Sequence, residues 1–335
     1  MVERRERKWR TGWILAAAGL GGLVAAGGYG LSRISPLRAL VHPCTPGAVS
    51  PERLKAHVRA LSETFVPRDH LHPENLERTA DYLVEALTRA GGRVRSEPYT
   101  VDGRPYRNVI AAFGPEQEER LVIGAHYDAA EGTPGANDNA SGVAGLLELA
   151  SLLGARPPTM RVELVGFTLE EPPHFGEFTQ GSRIHARGLS ARKVKVRAML
   201  SLESLGYFSD APDSQSYPTQ ALRKVYPSQG HFIAVVGRSL REEDLIATVH
   251  GALRAQRGLA SESLASLLGL EGMGFSDHAS FWDAGYHAVM VTDTALFRDP
   301  AYHRAQDTWE RLDYERMARV VQGIHCAVEA LAPLR

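Results

Sequence analysis

Several side chains that could bind a metal ion follow apolar segments of this 335-residue sequence. His126 ends the apolar segment 121–126, and Asp128 follows it two positions later. Residues i and i+2 of an extended chain point to the same side. The pair therefore suits a metal-binding imidazole whose second ring nitrogen is held by a carboxylate.

A second candidate lies in the segment PGANDNASG at 134–142. Glycine and asparagine tolerate unusual backbone angles, so this turn can present Asp138 at the edge of a sheet. A helix is predicted to begin directly afterwards, at Ser141. A purely structural interpretation is equally open, in which Asp138 or Asn139 only caps that helix.

Two adjacent acidic residues, Glu170 and Glu171, end a third apolar segment and precede Pro172 and Pro173. Acidic groups at the end of a buried strand are costly unless they are paired or bind a metal. The prolines cannot continue a central strand, so the chain turns there. Neighbouring carboxylates point in different directions, so one can bind a metal while the other holds an attacking water.

Two further candidates come later in the chain. Glu203 closes the apolar segment 198–202, and His303 lies in the segment YHRAQDT at 302–308, with Asp307 as a possible orienting partner. Two histidines and several carboxylates at strand ends form a ligand set for hard-to-borderline metals, and the histidines favour zinc.

The elements that must position these residues alternate between strands and helices. Predicted helices cover 51–65, 74–90, 141–153, 182–188, 242–257 and 314–331. Predicted strands cover 93–101, 106–113, 120–126, 162–169, 196–202, 232–236 and 288–292, and 209–229 is expected to be a long loop. Apolar strands separated by helices predict a three-layer α/β sandwich with a mixed, largely parallel central sheet. Ligands of such sheets gather at the carboxyl ends of the strands.

The ordered set of motifs resembles the M28 family of zinc peptidases, of the bacterial aminopeptidase type. The matching segments are GAHYD (124–128), PGANDNASG (134–142), LEEPPHFGEFTQGS (169–182), SLESLGYF (201–208), FSDHASFW (275–282) and AYHRAQDT (301–308). Each is unspecific alone, but together they follow the family's order along most of the chain between 124 and 308.

The resemblance implies a role for each candidate. Asp138 would bridge two zinc ions, which Co²⁺ or Mn²⁺ could replace. His126 and Glu203 would complete one ion, and Glu171 and His303 would complete the other. Glu170 would be the general base towards a water shared by the ions, and Asp128 would orient His126. Many family members carry aspartate at the position of Glu203. The resemblance also implies a cis peptide bond after Asp138.

These roles imply hydrolysis of peptide bonds, with release of N-terminal residues from a peptide or protein substrate. Two other functions stay open. One is an acyltransferase like glutaminyl cyclase, which resembles this family but uses one zinc and would leave His126 surplus. The other is a binding domain that has kept the fold without catalysis. Amino- and carboxypeptidase action are not distinguished by these residues.

The N-terminus has a different character. Residues 1–10 are basic, and residues 11–32 carry no charge and would span about 33 Å as a helix, enough to cross a bilayer. A signal anchor is predicted at 11–32, preceded by a basic cytoplasmic tail at 1–10 and followed by a linker at 33–45 and the peptidase-like domain at 46–335. The excess of basic residues before the segment predicts a domain outside the cytoplasm. A cleaved signal peptide is the alternative.

Composition and cysteine content exclude several classes of protein. The chain is 44% hydrophobic and 23% charged, which excludes a mostly disordered protein. A formal net charge of −1 gives no indication of a nucleic-acid partner. Two cysteines cannot form a disulfide scaffold or a cysteine-type zinc site. In an oxidising compartment Cys44 and Cys326 could pair; otherwise they are two free thiols.

Overall fold

The computed structural model describes residues 39–40, 43–238, 240–266 and 269–334. The predicted cytoplasmic tail and signal anchor, at 1–10 and 11–32, lie outside the described residues. Within those residues, the structure contains no helix of sufficient length and apolar character to span a membrane.

Eight strands form one mixed sheet. They are β1 (Arg93–Val101), β2 (Arg104–Phe113), β3 (Arg120–His126), β4 (Arg161–Phe167), β5 (Val196–Glu203), β6 (Phe232–Arg238), β7 (Ala260–Ser266) and β8 (Ala288–Thr292). Their order across the sheet is β1-β2-β4-β3-β5-β8-β6-β7. The four central strands β4, β3, β5 and β8 run parallel to one another, whereas β1 and β2 are antiparallel and β6 runs against β8. The predicted mixed, largely parallel sheet is therefore confirmed.

Helices cover both faces of the sheet. They are α1 (Pro51–Arg59), α2 (Pro73–Arg89), α3 (Gly142–Ala155), α4 (Gly181–Ala191), α5 (Gln220–Val225), α6 (Glu243–Arg254), α7 (His278–Asp283) and α8 (Tyr314–Leu331). On one face α1, α2, α3, α6 and α8 bury apolar residues against the strands in a single core. On the other face Leu189 of α4 and Phe281 of α7 pack on Val122 and Met199. Both faces of β3 are therefore buried, which explains why its sequence is an uninterrupted apolar segment.

Some predicted boundaries were wrong. The helix predicted at 51–65 ends as an α-helix at Arg59 and continues as a π-helical turn over Ala60–Thr64. The loop predicted at 209–229 contains the short helix α5. Strand β7 was not predicted, because its sequence ASESLAS lacks the β-branched and aromatic residues typical of strands. It pairs only with β6, at the edge of the sheet.

Of the two alternatives for the cysteines, the structure contains the disulfide. Cys44 is bonded to Cys326 of α8, with their Cα atoms 5.7 Å apart. The bond joins the segment that precedes α1 to the last helix of the domain.

Candidate metal centre

The predicted ligands converge because parallel strands end at the same edge of the sheet. His126 is the last residue of β3 and pairs with Phe167, the last residue of β4. Glu203 ends β5, the neighbour of β3 on its other side. Glu170 and Glu171 follow β4 by three and four residues. The structure thus brings these side chains to one buried site at the carboxyl ends of the central strands.

Asp138 lies at the centre of this site, and its two carboxylate oxygens face different partners. Oδ1 is 3.2 Å from Nε2 of His126. The same imidazole nitrogen is 3.3 Å from Oε2 of Glu203. These three side chains are almost completely buried and form the first half of the site.

The second half forms around the other oxygen of Asp138. Oδ2 is 3.2 Å from Nε2 of His303. That nitrogen is also 3.1 Å from Oε2 of Glu171. Each half therefore combines one histidine, one glutamate and one oxygen of Asp138. His303 is the most accessible member, with 31% of its side chain exposed, and its ring stacks on that of Tyr302 at a centroid distance of 4.0 Å.

Glu170 stands slightly apart from both halves. Its Oε2 is 3.8 Å from Nε2 of His126, the longest of the imidazole–carboxylate distances around Asp138. Glu170, Glu171 and Asp138 line one cavity together with His303 and Glu203. Burial, followed by the negative charges of its acidic neighbours, raises the pKa of Glu170 well above its usual range, although the charge of His126 opposes that shift.

The site shifts the pKa values of its acidic members in opposite directions. Burial disfavours ionisation of Asp138, but its close contacts with the imidazoles of His126 and His303 outweigh burial and lower the pKa of that carboxyl. Burial and the charge of Asp138 raise the pKa of Glu171 to about 7. Burial disfavours the cationic form of His303, but its close contacts with the carboxylates of Asp138 and Glu171 outweigh burial and raise its pKa to about 10. Acidic groups outnumber imidazoles in this buried site, so a bound cation would favour their ionised forms.

The donor atoms fit zinc. Among the described residues, Asp138 Oδ1, Glu171 Oε1 and His303 Nε2 are buried without a hydrogen-bond partner. Ligand atoms of His126, Asp138 and Glu171 lie within 4.8 Å of one another. Imidazole nitrogens and carboxylate oxygens are ligands that zinc accepts, and unsatisfied buried atoms of this kind are expected where a metal ion binds.

Asp128 contacts one residue in each half of the site. Its Oδ1 is 3.5 Å from Nδ1 of His126, and its Oδ2 accepts a hydrogen bond from the backbone N–H of Glu171 at 3.0 Å. The same ring nitrogen lies 3.2 Å from the backbone carbonyl oxygen of Asp128, so Asp128 contacts the imidazole through both its backbone and its side chain. The bond to Glu171, which the sequence did not predict, fixes the backbone of the opposite half.

The prediction that Asp307 orients His303 was wrong. Asp307 accepts hydrogen bonds from the backbone N–H groups of Asn137 at 2.8 Å and Asp138 at 3.1 Å. The turn at 302–308 carries His303 into the site but directs the Asp307 side chain towards the segment that bears Asp138.

Glu203 reaches the first half of the site and accepts hydrogen bonds from two serine hydroxyls. Its Oε2 accepts a hydrogen bond from Ser276 Oγ at 2.7 Å, and its Oε1 accepts one from Ser204 Oγ at 3.1 Å. Ser276 was missed, although it lies in the motif FSDHASFW. The neighbouring His278 is a buried residue of the core, and its Nε2 lies 2.7 Å from the carbonyl oxygen of Met273.

The backbone around the site adopts conformations that are uncommon for residues with side chains. Leu169, Ser204 and His303 have φ values of 58°, 51° and 55°. Non-glycine residues in the left-handed region concentrate at functional sites, because the surrounding structure must hold them there. The peptide bond between Asp138 and Asn139 is cis, as the family resemblance implied.

Arg68 is a second residue that sequence reasoning missed. Its guanidinium is completely buried and donates to the carbonyl oxygens of Tyr127 at 3.0 Å, Pro134 at 2.9 Å and Gly135 at 2.9 Å. These carbonyls belong to the segment between His126 and Asp138. Gly135 has φ 61°, and a Cβ there would lie 2.6 Å from the carbonyl oxygen of Asp138, so this turn requires glycine.

An α/β fold with buried imidazoles and carboxylates at the ends of parallel strands defines a candidate metal-dependent hydrolase. Residues 108–328 match the model of peptidase family M28, and the chain belongs to that family.

The relatives share most of the domain. The chain is 43% identical to the protein YfbL of Escherichia coli (strain K12) over 290 residues, which cover 84% of this chain and 88% of YfbL. It covers less than half of several other curated relatives that are named as aminopeptidases or as a leupeptin-inactivating enzyme.

Solved structures share the fold at low sequence identity. A zinc aminopeptidase from Bacillus subtilis, BSAP, has a TM-score of 0.67 at 15% identity, over 84% of this chain and 95% of that one. Bacteroides thetaiotaomicron glutaminyl cyclase has a TM-score of 0.64 at 19% identity, over 85% of this chain and 99% of that one. Both chemistries weighed from the sequence therefore occur on this fold.

Proposed function

We propose that the protein is a zinc-dependent aminopeptidase with two ions per chain. The observation that carries this proposal is the arrangement about Asp138, whose two oxygens each face a separate pair of one histidine and one glutamate. His126, Glu203 and Asp138 Oδ1 would hold one ion. His303, Glu171 and Asp138 Oδ2 would hold the other.

The zinc ions, when bound, supply Lewis acidity towards a carbonyl group and lower the pKa of water. The chain supplies proton transfer through Glu170. Its carboxyl is buried in the same cavity as both halves of the site, a position from which it accepts a proton from water and then delivers it to the leaving amine. Asp128 fixes His126 on one side and the Glu171 backbone on the other, so both halves keep their positions while the proton moves.

The first half of the site contains all three of its predicted ligands, His126, Glu203 and Asp138. Their presence supports two ions over the single ion of a cyclase-like enzyme. A one-zinc site would leave His126 buried beside Asp138 and Glu203 with no ligand role. Each predicted ligand position, and the position of the predicted general base, has a side chain suited to that role. This supports catalysis over a binding role alone. The names of the aminopeptidase relatives support action at the N-terminus of peptides.

The experiment that tests this function is digestion of a peptide library by the zinc-loaded protein, with mass spectrometry to show which terminus is shortened. Stepwise loss of N-terminal residues would support an aminopeptidase. Loss of C-terminal residues would establish a carboxypeptidase. Conversion of N-terminal glutamine to pyroglutamate without cleavage would establish the cyclase alternative.

We further propose that the domain lies outside the cytoplasm, attached through residues 11–32. The basic segment before those residues supports this orientation, and the Cys44–Cys326 disulfide is typical of oxidising compartments. Alkaline phosphatase is active only after export, so a fusion after Arg335 should be active. An inactive but well-expressed fusion would overturn the orientation.

A further inference from the structure

An apolar pocket opens beside the candidate metal centre. It shares Glu203, Phe275 and Tyr302 with the cavity that contains Asp138 and His303. Its walls include Phe232, Val236, Leu264, Met273, Met290 and Phe297. A substrate side chain next to a bond held at the metal centre would enter this pocket.

The pairing between neighbouring strands defines a row of residues that leads away from the metal centre along the pocket. Glu203 of β5 pairs with Thr292 of β8, Thr292 pairs with Ala234 of β6, and Ala234 pairs with Glu262 of β7. Paired residues point to the same face of a sheet, and three steps between strands span about 14 Å. All four residues line the pocket. The small side chains of Thr292 and Ala234 therefore form a floor between two carboxylates.

Glu262 is the unusual member of this row. It is half-buried between Ala260 and Leu264, on the face that packs in an apolar cluster. No hydrogen bond or ion pair to another described residue involves its carboxylate, and the cation that acts on it is Arg254, an exposed residue of α6 beyond ion-pair distance. Partial burial of an unpaired carboxylate is unfavourable, and a cationic ligand in the pocket would offset that cost.

Two tyrosine rings border the same end of the pocket. Tyr217 and Tyr226 stack with centroids 6.1 Å apart. Their hydroxyls donate to the carbonyl oxygens of Pro227 and Ser263, both at 2.6 Å. Tyr217, Tyr226 and Glu262 all line this pocket. A carboxylate bordered by aromatic rings is a favourable environment for a cation.

We propose that this pocket receives the side chain of the N-terminal substrate residue, and that Glu262 makes it select lysine or arginine. The apolar walls accommodate the methylene stem, and the length of the row requires a long side chain before the charge can reach Glu262. This inference rests on the proposed peptidase function. It assigns a specificity-determining residue that lies on the edge strand, three strands away from Glu203.

The test compares lysine with norleucine, which has a stem of similar length and no charge. Their para-nitroanilides are hydrolysed by the zinc-loaded full chain, and we expect kcat/KM to be at least about tenfold higher for lysine. Glu262→Gln should lower kcat/KM for lysine by about 10- to 100-fold and change that for norleucine less than about threefold. Asp244→Asn, which removes an exposed carboxylate of α6 outside the pocket, should change neither.

A binding measurement separates this inference from the proposed function. Lysinamide and norleucinamide are titrated into the wild type and into Glu262→Gln by calorimetry. If both anilides are cleaved equally well, the peptidase function stands and the selectivity is overturned. If neither anilide is cleaved but lysinamide binds more tightly in a Glu262-dependent manner, the pocket assignment stands and the peptidase function fails. Equal binding of both amides without cleavage would overturn both.

Discussion

Asp307 holds the backbone of Asp138 in place. Its two carboxylate oxygens accept separate hydrogen bonds from the N–H groups of Asn137 and Asp138, at 2.8 and 3.1 Å. Asp307 itself is buried. The residue at the centre of the site is thus positioned by a side chain 169 residues further along the chain.

From this relationship we expect Asp307→Ala to weaken metal binding without removing a ligand. Loss of a group that positions a ligand typically costs about 10- to 100-fold in metal affinity. Competition with a chromophoric zinc chelator would measure the change, and circular dichroism would show that the variant is folded. Asp307→Asn, which keeps one acceptor oxygen, should have an intermediate effect. An affinity of Asp307→Ala within about twofold of the wild type would contradict the positioning role.

Glu170→Gln should separate metal binding from catalysis. Because Glu170 lies at the greater distance of 3.8 Å from His126, its amide should leave both halves of the site intact. Turnover should fall by at least about 100-fold, the usual scale for loss of a general base. Elemental analysis and peptide hydrolysis measure the two properties. Glu177→Gln is the control, since Glu177 is exposed in the loop that follows. Near-normal turnover of Glu170→Gln would remove Glu170 from the mechanism.

Much of the site was predictable because its residues end apolar strands, a pattern that the sequence displays directly. His126, Glu171 and Glu203 could be identified from their position after such segments, and the topology then brings them together. The role of Asp307 could not be predicted, because its partners are backbone groups distant in sequence. Glu262 was equally inaccessible, since its alignment with Glu203 depends on the register of β7, a strand whose composition does not indicate one.

Asp138→Ala should abolish binding of both ions. The reason is geometric, since Oδ1 faces His126 and Oδ2 faces His303. Elemental analysis of fully loaded wild type should give two zinc ions per chain, and Asp138→Ala should retain close to none. Glu171→Ala, by comparison, removes a ligand from one half only and should retain about one ion. One ion in the wild type would instead favour the cyclase-like alternative.

Removal of the disulfide should destabilise the domain without affecting the metal site. Cys44 and Cys326 are separated by 282 positions, and a cross-link of this kind limits the freedom of the unfolded chain. We expect the double variant Cys44→Ser, Cys326→Ser to lose about 2–5 kcal/mol of unfolding free energy, measured by urea denaturation. Each single variant should lose a similar amount, because either change breaks the bond. Wild-type protein that gains two labels on alkylation after unfolding without reductant would show that the bond is absent.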